Sequence, residues 1–361
     1  MNIIFSGGGT GGHIFPAISI AEQVRLNKPD SNIQFIGAKG RIEEKIVPEN
    51  GFELITFELT GFGKNIIKNL KSVIRFLKAV NKIKKVIREF KPDVVVGTGG
   101  FASAPVIHSA LKCKVPVLLQ EGNAYPGKVT RYYSSKVTKV VINFKKAAEY
   151  LKSKNNIIYI AHPVRNIFMN KVNTKEIKES LGINNNLKTL FVFGGSQGSK
   201  IINDVVMNKL NDLIKLKINI IWQTGKNQYN EIKKSINDIK ANIKIFEFIN
   251  DINNIYAITD LALCRAGITS IMELSVTKTP AIFVPLSIAA ENHQYENAKA
   301  LETGNACVII TEKNLEKNLV NTIEKIIFDE NKLNIMGNNI AEFSDADASK
   351  KIFFELEKIL N

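Results

Sequence analysis

The sequence is short of cysteine, of acidic residues and of long apolar runs. Its three cysteines, Cys113, Cys264 and Cys307, are far apart and form no C-x-x-C pair, so we expect neither a disulfide framework nor a cysteine metal site. No apolar run approaches the ~20 residues of a membrane span, and the start lacks a basic-then-apolar signal sequence. These absences predict a protein that is made and kept in the cytosol.

The shortage of acidic residues leaves the chain basic. It has 49 lysines and arginines against 34 aspartates and glutamates, a formal net charge of +15. Excess lysine is usually a solvated surface, but a basic protein is also attracted to anionic lipid, nucleic acid or phosphorylated substrates. No aromatic-rich platform accompanies the lysines, so we expect no nucleic-acid partner. No carboxylate cluster has metal-ligand spacing, so the sequence predicts no metal and no cofactor.

A glycine-rich stretch near the start carries the first functional signal: Ser6-Gly7-Gly8-Gly9-Thr10-Gly11-Gly12-His13. It follows the apolar run Ile3–Phe5 and precedes Ile14–Ala21, whose apolar residues have helical spacing. Glycines let the backbone approach an anion closely, and a helix start offers N–H groups and a positive dipole end. The order of strand, turn and helix therefore predicts a phosphate site, and His13 adds a group that exchanges protons near neutral pH.

Two other interpretations of this stretch are open. The glycines could form only a tight turn, although their number exceeds what a turn needs. Gly7, Gly9 and Gly12 also match the dinucleotide pattern G-x-G-x-x-G, which expects an acidic residue about 20 positions later. Here the second strand ends in Gly37-Ala38-Lys39, without a carboxylate for a ribose, which disfavours a nicotinamide-dependent oxidoreductase.

Short apolar strands alternate with helical patterns along the chain, which is typical of parallel sheets covered on both faces. The predicted strands are Ile3–Phe5, Ile33–Ile36, Leu54–Phe57, Val94–Val96, Val115–Leu119, Val140–Ile142, Ile157–Ile160, Leu190–Phe193, Ile218–Trp222, Ile243–Phe246, Leu261–Cys264, Ala281–Val284 and Cys307–Ile310. A second glycine turn, Gly194–Ser199, opens a second α/β half. We expect domains over residues 1–164 and 165–344, then a helix over 345–361 that packs back on the first.

The segment Lys64–Lys91 combines an apolar stripe with ten basic residues. One interpretation is a long helix that covers the sheet and turns a basic face to solvent. The other is a peripheral membrane contact, in which basic residues meet anionic headgroups. Both can hold, since one end of a long helix can cover the core while the other meets lipid.

A third glycine turn, Gly97–Pro105, follows Val94–Val96 and precedes another helix. With the first stretch, with Gly194–Gly198 and with Cys264-Arg265-Ala266-Gly267…Glu273-Leu274, it forms an ordered set that covers nearly the whole chain. This set resembles glycosyltransferase family 28, the bacterial enzymes that add N-acetylglucosamine to the undecaprenyl-linked muramyl-pentapeptide precursor of peptidoglycan. Another glycosyltransferase of the same fold, such as a glycolipid synthase, is the rival interpretation.

The resemblance implies an α/β fold of the GT-B type, with two Rossmann-like domains whose parallel sheets face a deep cleft. It implies that the second domain holds UDP-N-acetylglucosamine and that the first faces the membrane and the lipid acceptor. The reaction implied is an inverting transfer to the C4 hydroxyl of N-acetylmuramic acid, which converts lipid I to lipid II. The implied location is the cytoplasmic face of the bacterial membrane, where the protein is peripheral and meets the anionic inner leaflet.

The resemblance also implies site residues, matched position by position. Those implied to contact UDP-N-acetylglucosamine are Thr10, Gly11, Gly12, Asn123, Arg165, Ser196, Ile249, Ile268, Thr269, Ser270, Ile271, Met272, Glu273 and Gln294. Within this set Ser196 meets phosphate, backbone groups at Ile249 read uracil, and Glu273 accepts both ribose hydroxyls. The chain departs from the family at Glu121-Gly122-Asn123, usually Glu-Gln-Asn, and at Ala161-His162-Pro163, usually Gly-Asn-Pro.

The transfer needs a base for the acceptor hydroxyl and positive charge for the departing diphosphate. His13 is the first candidate base, because imidazole suits proton transfer near pH 7. Glu121 is the second candidate, with the alternative that it only orients a neighbour. Helix starts after Gly198 and Gly267, with Arg165, would stabilise the leaving group. The acceptor diphosphate would lie at Thr98, Gly99 and Gly100, where backbone N–H groups can cradle an anion.

Overall fold

The computed structural model describes residues 1–59, 66–169, 172–237, 239 and 242–361. The chain divides into two compact units, Met1–Arg165 together with Asp345–Asn361, and Asn166–Ser344. Among the described helices, none has both the length and the apolar character that a bilayer span requires.

The first unit contains a seven-stranded sheet in the order β3-β2-β1-β4-β5-β6-β7, and every pairing is parallel. Its strands are β1 Asn2–Ser6, β2 Asn32–Ala38, β3 Glu53–Phe57, β4 Val94–Gly97, β5 Val117–Glu121, β6 Lys139–Ile142 and β7 Ile157–Tyr159. Its helices are α1 Gly11–Asn27, α2 Glu43–Glu49, α3 Ile66–Phe90, α4 Ser103–Lys112 and α5 Lys128–Tyr133.

The second unit contains a six-stranded parallel sheet in the order β10-β9-β8-β11-β12-β13. Its strands are β8 Thr189–Phe193, β9 Asn219–Gln223, β10 Ile243–Phe246, β11 Leu261–Cys264, β12 Ala281–Phe283 and β13 Cys307–Ile309. Its helices are α6 Thr174–Ser180, α7 Lys200–Asn208, α8 Leu210–Lys215, α9 Lys226–Ile236, α10 Ile252–Ala257, α11 Ile268–Val276, α12 His293–Glu302, α13 Glu312–Ile327 and α14 Glu330–Ala341; α15 Ala348–Leu360 belongs to the first unit.

Each predicted strand is confirmed to within about two residues. The reason is that central strands of a parallel sheet are buried on both faces, so they read as unbroken apolar runs. Val94, Val95 and Val96 in β4, for example, are all completely buried. The same holds for Leu261, Ala262 and Leu263 in the second sheet.

Strand register groups the glycine turns within each unit. In the first sheet Ser6 pairs with Gly97, so the turns that follow β1 and β4 leave the sheet side by side. In the second, Phe193 pairs with Cys264, so the turns after β8 and β11 are neighbours too. Each pair of turns lies where the strand order reverses, which is where open α/β sheets bind ligands.

The last helix, α15, packs against α1. Its residues Ile352, Phe353 and Leu356 are buried in the same core as Ile3 and Phe5 of β1. An ion pair of 3.1 Å between Lys28 Nζ and Glu357 Oε1 lies at the surface of this contact. The final 17 residues therefore complete the first unit, because their apolar stripe covers one face of its sheet.

The long helix α3 has two different ends. Val80, Ile83 and Ile87 are buried in the first unit's core. Val73, Ile74 and Leu77 are 40%, 48% and 56% exposed, although they continue the same apolar stripe. The predicted segment began at residue 64, and residues 64–65 lie outside the described part of the chain.

Candidate functional site

The first glycine turn wraps around a buried carboxylate. Glu43, which is fully buried, accepts hydrogen bonds from Gly9 N at its Oε2 and from Ala38 N at its Oε1, both at 3.0 Å. A Cβ built on Gly8 would lie 2.2 Å from Glu43 Oε1, so only glycine fits there. The N–H of Gly9 is thus committed to the protein, and the groups this turn can offer an anion are those at the start of α1.

Thr10, Gly11 and Gly12 form that helix start. Thr10 is the N-cap in extended conformation, and its side chain caps no backbone N–H. No acidic residue occupies the first turn. The first N–H groups of a helix have no intrahelical partner, so this end keeps its capacity for an anion or a sugar hydroxyl.

His13 is held in one tautomer by Thr98. Its Nδ1 lies 2.9 Å from the carbonyl oxygen of Thr98, and the Thr98 hydroxyl donates to the carbonyl oxygen of His13 at 2.6 Å. A carbonyl only accepts, so Nδ1 carries the hydrogen and the lone pair of the neutral ring is on Nε2. This is the arrangement that a histidine base requires, with one nitrogen anchored and the other basic.

The third glycine turn makes room for this ring. Gly99 has φ +90°, and a Cβ there would lie 3.0 Å from His13 Nδ1. Gly100 has φ +77°, and its Cβ would lie 2.5 Å from the carbonyl oxygen of Gly8. Thr98 is 2% exposed and its hydroxyl donates to His13, so it supports His13, while its contact with the acceptor diphosphate stays a prediction.

Glu121 is saturated with hydrogen bonds. Oε1 accepts from the backbone N and the Nδ2 of Asn123, both at 3.0 Å. Oε2 accepts from Gly127 N at 2.9 Å and from the Thr130 hydroxyl at 2.7 Å. Because the side chain is 3% exposed and each of its oxygens already accepts two hydrogen bonds, the geometry favours the alternative in which Glu121 orients Asn123.

Arg165 lies beside the first helix. Its guanidinium carbon is 4.7 Å from the centre of the Phe15 ring, a cation–π contact near the start of α1. Burial raises the pKa of the nearby Glu22 carboxyl, against the opposing effect of Arg25 and Arg165. Arg165 therefore brings positive charge to the end of the unit that carries His13.

His162, one of the departures from the family pattern, is buried in the same unit. It is 1% exposed, and its Nδ1 lies 3.0 Å from Gln120 Nε2. Burial, with a smaller contribution from His13, lowers the pKa of His162 to about 3. The ring is therefore neutral in the native state at neutral pH.

The buried histidine predicts a specific acid sensitivity. Its pKa is about 3 in the native state and about 6.5 when unfolded, so the unfolded chain takes up the proton below pH 6.5 and stability is lost as pH falls. When the pH falls from 7.5 to 5.5, protonation of His162 in the unfolded chain should lower the free energy of unfolding by about 1.4 kcal/mol. Urea unfolding of the wild type and of His162→Asn, the residue usual in the family, measures it. Equal acid-induced losses in both proteins would contradict the assignment.

In the second unit, the glycines of the turn between β8 and α7 let other groups come close to its backbone. Gly195 has φ +84° and Gly198 φ +74°, and a Cβ on Gly198 would lie 2.2 Å from the carbonyl oxygen of Thr224. Ser199 caps α7 by accepting from Ile202 N at 3.4 Å. Ser196 is exposed at the tip, where its hydroxyl can reach a phosphate.

Gln223 joins this turn to the segment predicted to read uracil. Its Nε2 donates to the carbonyl oxygen of Gly195 at 3.1 Å, and its Oε1 accepts from Ile249 N at 2.9 Å. The backbone N–H of Ile249 is therefore engaged within the protein. A backbone contact between Ile249 and the uracil would therefore use the carbonyl oxygen of Ile249.

The start of α11 is the second helix terminus at this edge of the sheet. Gly267 is its N-cap without a side-chain cap, and a Cβ there would meet open space. The Thr269 hydroxyl oxygen is buried, with no hydrogen-bond partner among the described residues. Ile268, Thr269 and Ser270 thus present the first N–H groups of a helix to this edge.

Two residues of the predicted donor segment have buried side chains. Ile271 and Met272 are completely buried, so their side chains face the core. The Ile271 N–H is already bonded to the Gly267 carbonyl oxygen at 3.0 Å. Contact of these two residues with the donor stays a prediction, and their buried side chains indicate that they support the helix from the core side.

Glu273 is buried and anchored. It is 5% exposed, so it is not an ordinary surface helix residue. The hydroxyl of Tyr256, on α10, donates to its Oε2 at 3.2 Å. The carboxylate therefore has a defined direction before any ligand is present.

Gln294 supports the loop before α12. Its Oε1 accepts from Leu286 N at 3.0 Å, which leaves the amide nitrogen as the group that can donate to a sugar hydroxyl. The same loop is held by Arg265, whose Nη1 lies 2.7 Å from Glu312 Oε1 and 3.1 Å from the carbonyl oxygen of Val284.

Several supporting residues were not predicted: Glu43, Gln120, Gln223 and Tyr256. Each is a single polar or aromatic residue without a motif, and only its partner reveals its part. No group of three or more histidine, cysteine or acidic residues arranged for a metal occurs in the described ranges. Burial raises the pKa of the Cys264 and Cys307 thiols, and both cysteines are free.

Comparison with known proteins identifies two matching family models. The model described as the glycosyltransferase family 28 N-terminal domain matches residues 3–142. The model described as the glycosyltransferase family 28 C-terminal domain matches residues 189–352.

Full-length relatives carry one common name. A Finegoldia magna protein is 37% identical over 368 residues, covering 100% of this chain and 98% of the relative. An Acetivibrio thermocellus protein is 35% identical with the same coverage. Both are named UDP-N-acetylglucosamine–N-acetylmuramyl-(pentapeptide) pyrophosphoryl-undecaprenol N-acetylglucosamine transferase. The crystal structure of Acinetobacter baumannii MurG superposes with a TM-score of 0.79 at 23% identity and covers 99% of each chain, which supports the fold.

Proposed function

Because this chain belongs to glycosyltransferase family 28, we infer that it is a hexosyltransferase of the GT-B fold that moves N-acetylglucosamine from UDP-N-acetylglucosamine to lipid I. The product is lipid II, the disaccharide precursor of peptidoglycan. The observation that carries this conclusion is identity of 35–37% to relatives of that name over the full length of the chain.

In the proposed reaction His13 is the base. Its Nε2 takes the proton of the acceptor's C4 hydroxyl, and the hydroxyl oxygen attacks the anomeric carbon. The bond from that carbon to the UDP oxygen breaks, and UDP departs with the electron pair. The configuration at the anomeric carbon is inverted. The Nδ1 contact with Thr98, at 2.9 Å, supports this role because it keeps the lone pair on Nε2.

The leaving diphosphate gains negative charge as the bond breaks. We propose that the N–H groups at the start of α11 and the hydroxyls of Ser196 and Thr269 stabilise it in the second unit. The buried and unpaired hydroxyl of Thr269 supports this. Thr10, Gly11, Gly12, Asn123 and Arg165 remain proposed donor contacts in the first unit.

The acceptor diphosphate is proposed to bind the N–H groups of Gly99 and Gly100. Their positive φ values, +90° and +77°, turn successive N–H groups in the way that anion-binding turns require. A Cβ on either glycine would also press on His13 or on Gly8, so alanine variants at these positions would disturb the base as well. They are therefore no clean test of acceptor binding.

We further propose that the exposed end of α3 meets the anionic cytoplasmic leaflet of the membrane. Val73, Ile74 and Leu77 expose apolar surface there, and the exposed Arg75 and Lys78 lie on the same turns. Apolar insertion with basic residues against anionic headgroups is the usual form of peripheral binding.

Membrane binding through α3 has a direct test. Ile74→Ser combined with Leu77→Ser should lower binding to vesicles that contain phosphatidylglycerol roughly tenfold, because two apolar side chains are lost from the contact. Sedimentation with vesicles measures it, and Leu26→Ser, which is 68% exposed on α1, is the matched control. Unchanged binding of the double variant, or an equal loss in the control, would rule out this surface.

The function itself is tested by radiolabelled sugar transfer. Purified protein should transfer N-acetylglucosamine from UDP-N-acetylglucosamine to a short-chain undecaprenyl-type lipid I analogue. A parallel assay with a diacylglycerol acceptor distinguishes the proposed activity from that of a glycolipid synthase. Transfer to diacylglycerol alone would overturn the proposal.

A further inference from the structure

The residue that supports Glu273 is itself rigidly held. Tyr256 is 2% exposed. The centre of its ring lies 5.8 Å from that of Phe168, 5.9 Å from Phe191 and 6.0 Å from Phe193. An aromatic ring packed on three sides has little rotational freedom, so its hydroxyl is a fixed donor.

The Tyr256 hydroxyl can affect ribose binding because it influences the direction of the Glu273 carboxylate. To accept from two neighbouring hydroxyls, both carboxylate oxygens must point at the sugar. A free glutamate side chain would lose rotamer freedom on binding and weaken the complex. The Tyr256 bond to Glu273 Oε2, at 3.2 Å, restricts that freedom before the nucleotide arrives.

We propose that Tyr256 is a positioning residue that aims Glu273 at the 2′ and 3′ hydroxyls of the donor, and so sets the preference for a ribonucleotide over a 2′-deoxyribonucleotide. This inference rests on the proposed role of Glu273 in the donor site. The tyrosine touches neither the sugar nor the reacting atoms, and it acts through the carboxylate alone.

A merely structural tyrosine would behave differently. If Tyr256 only fills the aromatic core, loss of its hydroxyl lowers stability and leaves nucleotide preference unchanged. If it positions Glu273, the loss of affinity is larger for a ligand with both hydroxyls than for one that lacks the 2′ hydroxyl. The ratio of affinities for UDP and 2′-deoxy-UDP separates the two cases, since global stability affects both ligands equally.

The experiment is calorimetric titration of UDP and 2′-deoxy-UDP into the full-length protein, its Tyr256→Phe variant and its Glu273→Gln variant. Tyr256→Phe should weaken UDP binding about fivefold to tenfold, less than the loss of a direct hydrogen bond to a charged group because the tyrosine acts only through the carboxylate, and should weaken 2′-deoxy-UDP, which keeps only the 3′ hydroxyl, by a clearly smaller factor. The KM for UDP-N-acetylglucosamine should rise in proportion while kcat stays within about twofold. Tyr229→Phe, on α9 of the same unit, is the matched control and should change nothing.

The outcomes distinguish the inference from the proposed function. If Glu273→Gln leaves the UDP preference intact, the proposed ribose site itself fails. If Glu273→Gln removes the preference but Tyr256→Phe keeps it, the positioning role is overturned and the donor site stands. Phe191→Leu, which loosens the ring but keeps the hydroxyl, should lower the preference by a smaller factor and provides a second test should Tyr256→Phe not fold.

Discussion

Replacing His13 with asparagine should lower kcat for sugar transfer by about 10²–10⁴-fold, which is the rate enhancement that a positioned general base usually provides. Asparagine can still donate a hydrogen bond to the carbonyl oxygen of Thr98, which now accepts from His13 Nδ1 at 2.9 Å, but it cannot take a proton. Steady-state transfer from UDP-N-acetylglucosamine at saturating substrates measures the loss. UDP affinity should be unaffected, because binding of the nucleotide needs no base.

His13→Ala is the companion variant, because it removes the base and the anchoring donor together. It should lose as much kcat as His13→Asn and in addition lower the melting temperature, since the buried carbonyl of Thr98 is left unpaired. Activity of His13→Asn within about tenfold of the wild type, below the smallest effect expected of a general base, would exclude His13 as the base.

The second large effect is expected at Glu121. Glu121→Gln replaces one carboxylate oxygen with an NH₂ group that must face two donors, either those of Asn123 or those of Gly127 and Thr130. Leaving a buried donor unpaired costs about 1–3 kcal/mol, and the Thr130 hydroxyl can rotate to accept instead, so one or two unpaired donors at about 2 kcal/mol each give an expected loss of about 2–4 kcal/mol. Scanning calorimetry should show a melting temperature lower by roughly 5–15 °C.

Activity should fall with stability in this variant, because the loop that carries Asn123 loses its anchor. Glu149→Gln, an exposed change of the same chemistry in the same unit, is the control and should alter neither property. The result that would restore Glu121 as a candidate base is a fully stable Glu121→Gln protein that has lost its activity.

Much of the fold could be predicted because its signals are local. A buried parallel strand is an unbroken apolar run, and a tight turn at its carboxyl end demands glycine. Both patterns lie within about ten consecutive residues, which is why β1 to β13 and the three glycine turns could be predicted from the sequence. His13 and Glu273 could be placed at such turns for the same reason, and imidazole chemistry suggested the proposed role of His13 while the resemblance to family 28 implied that of Glu273.

The supporting contacts could not be predicted, because they join distant parts of the chain. The bond from Gly9 to Glu43 spans 34 residues, that from Ile249 to Gln223 spans 26, and that between Gln120 and His162 spans 42. No periodicity links such pairs. The same limit applies to Thr98, Ile271 and Met272, because a matched position does not reveal which of their groups the surrounding protein already occupies.

The amino-acid order alone determined two parallel α/β sheets and their turns, since apolar runs and glycines are properties of adjacent residues, and its ordered motifs carried the family resemblance that implied the class of reaction. Tertiary structure decided which nitrogen of His13 is basic, which carboxylate is saturated and which is aimed by Tyr256. Those properties depend on hydrogen-bond partners and burial, and both exist only after strands far apart in the chain have paired.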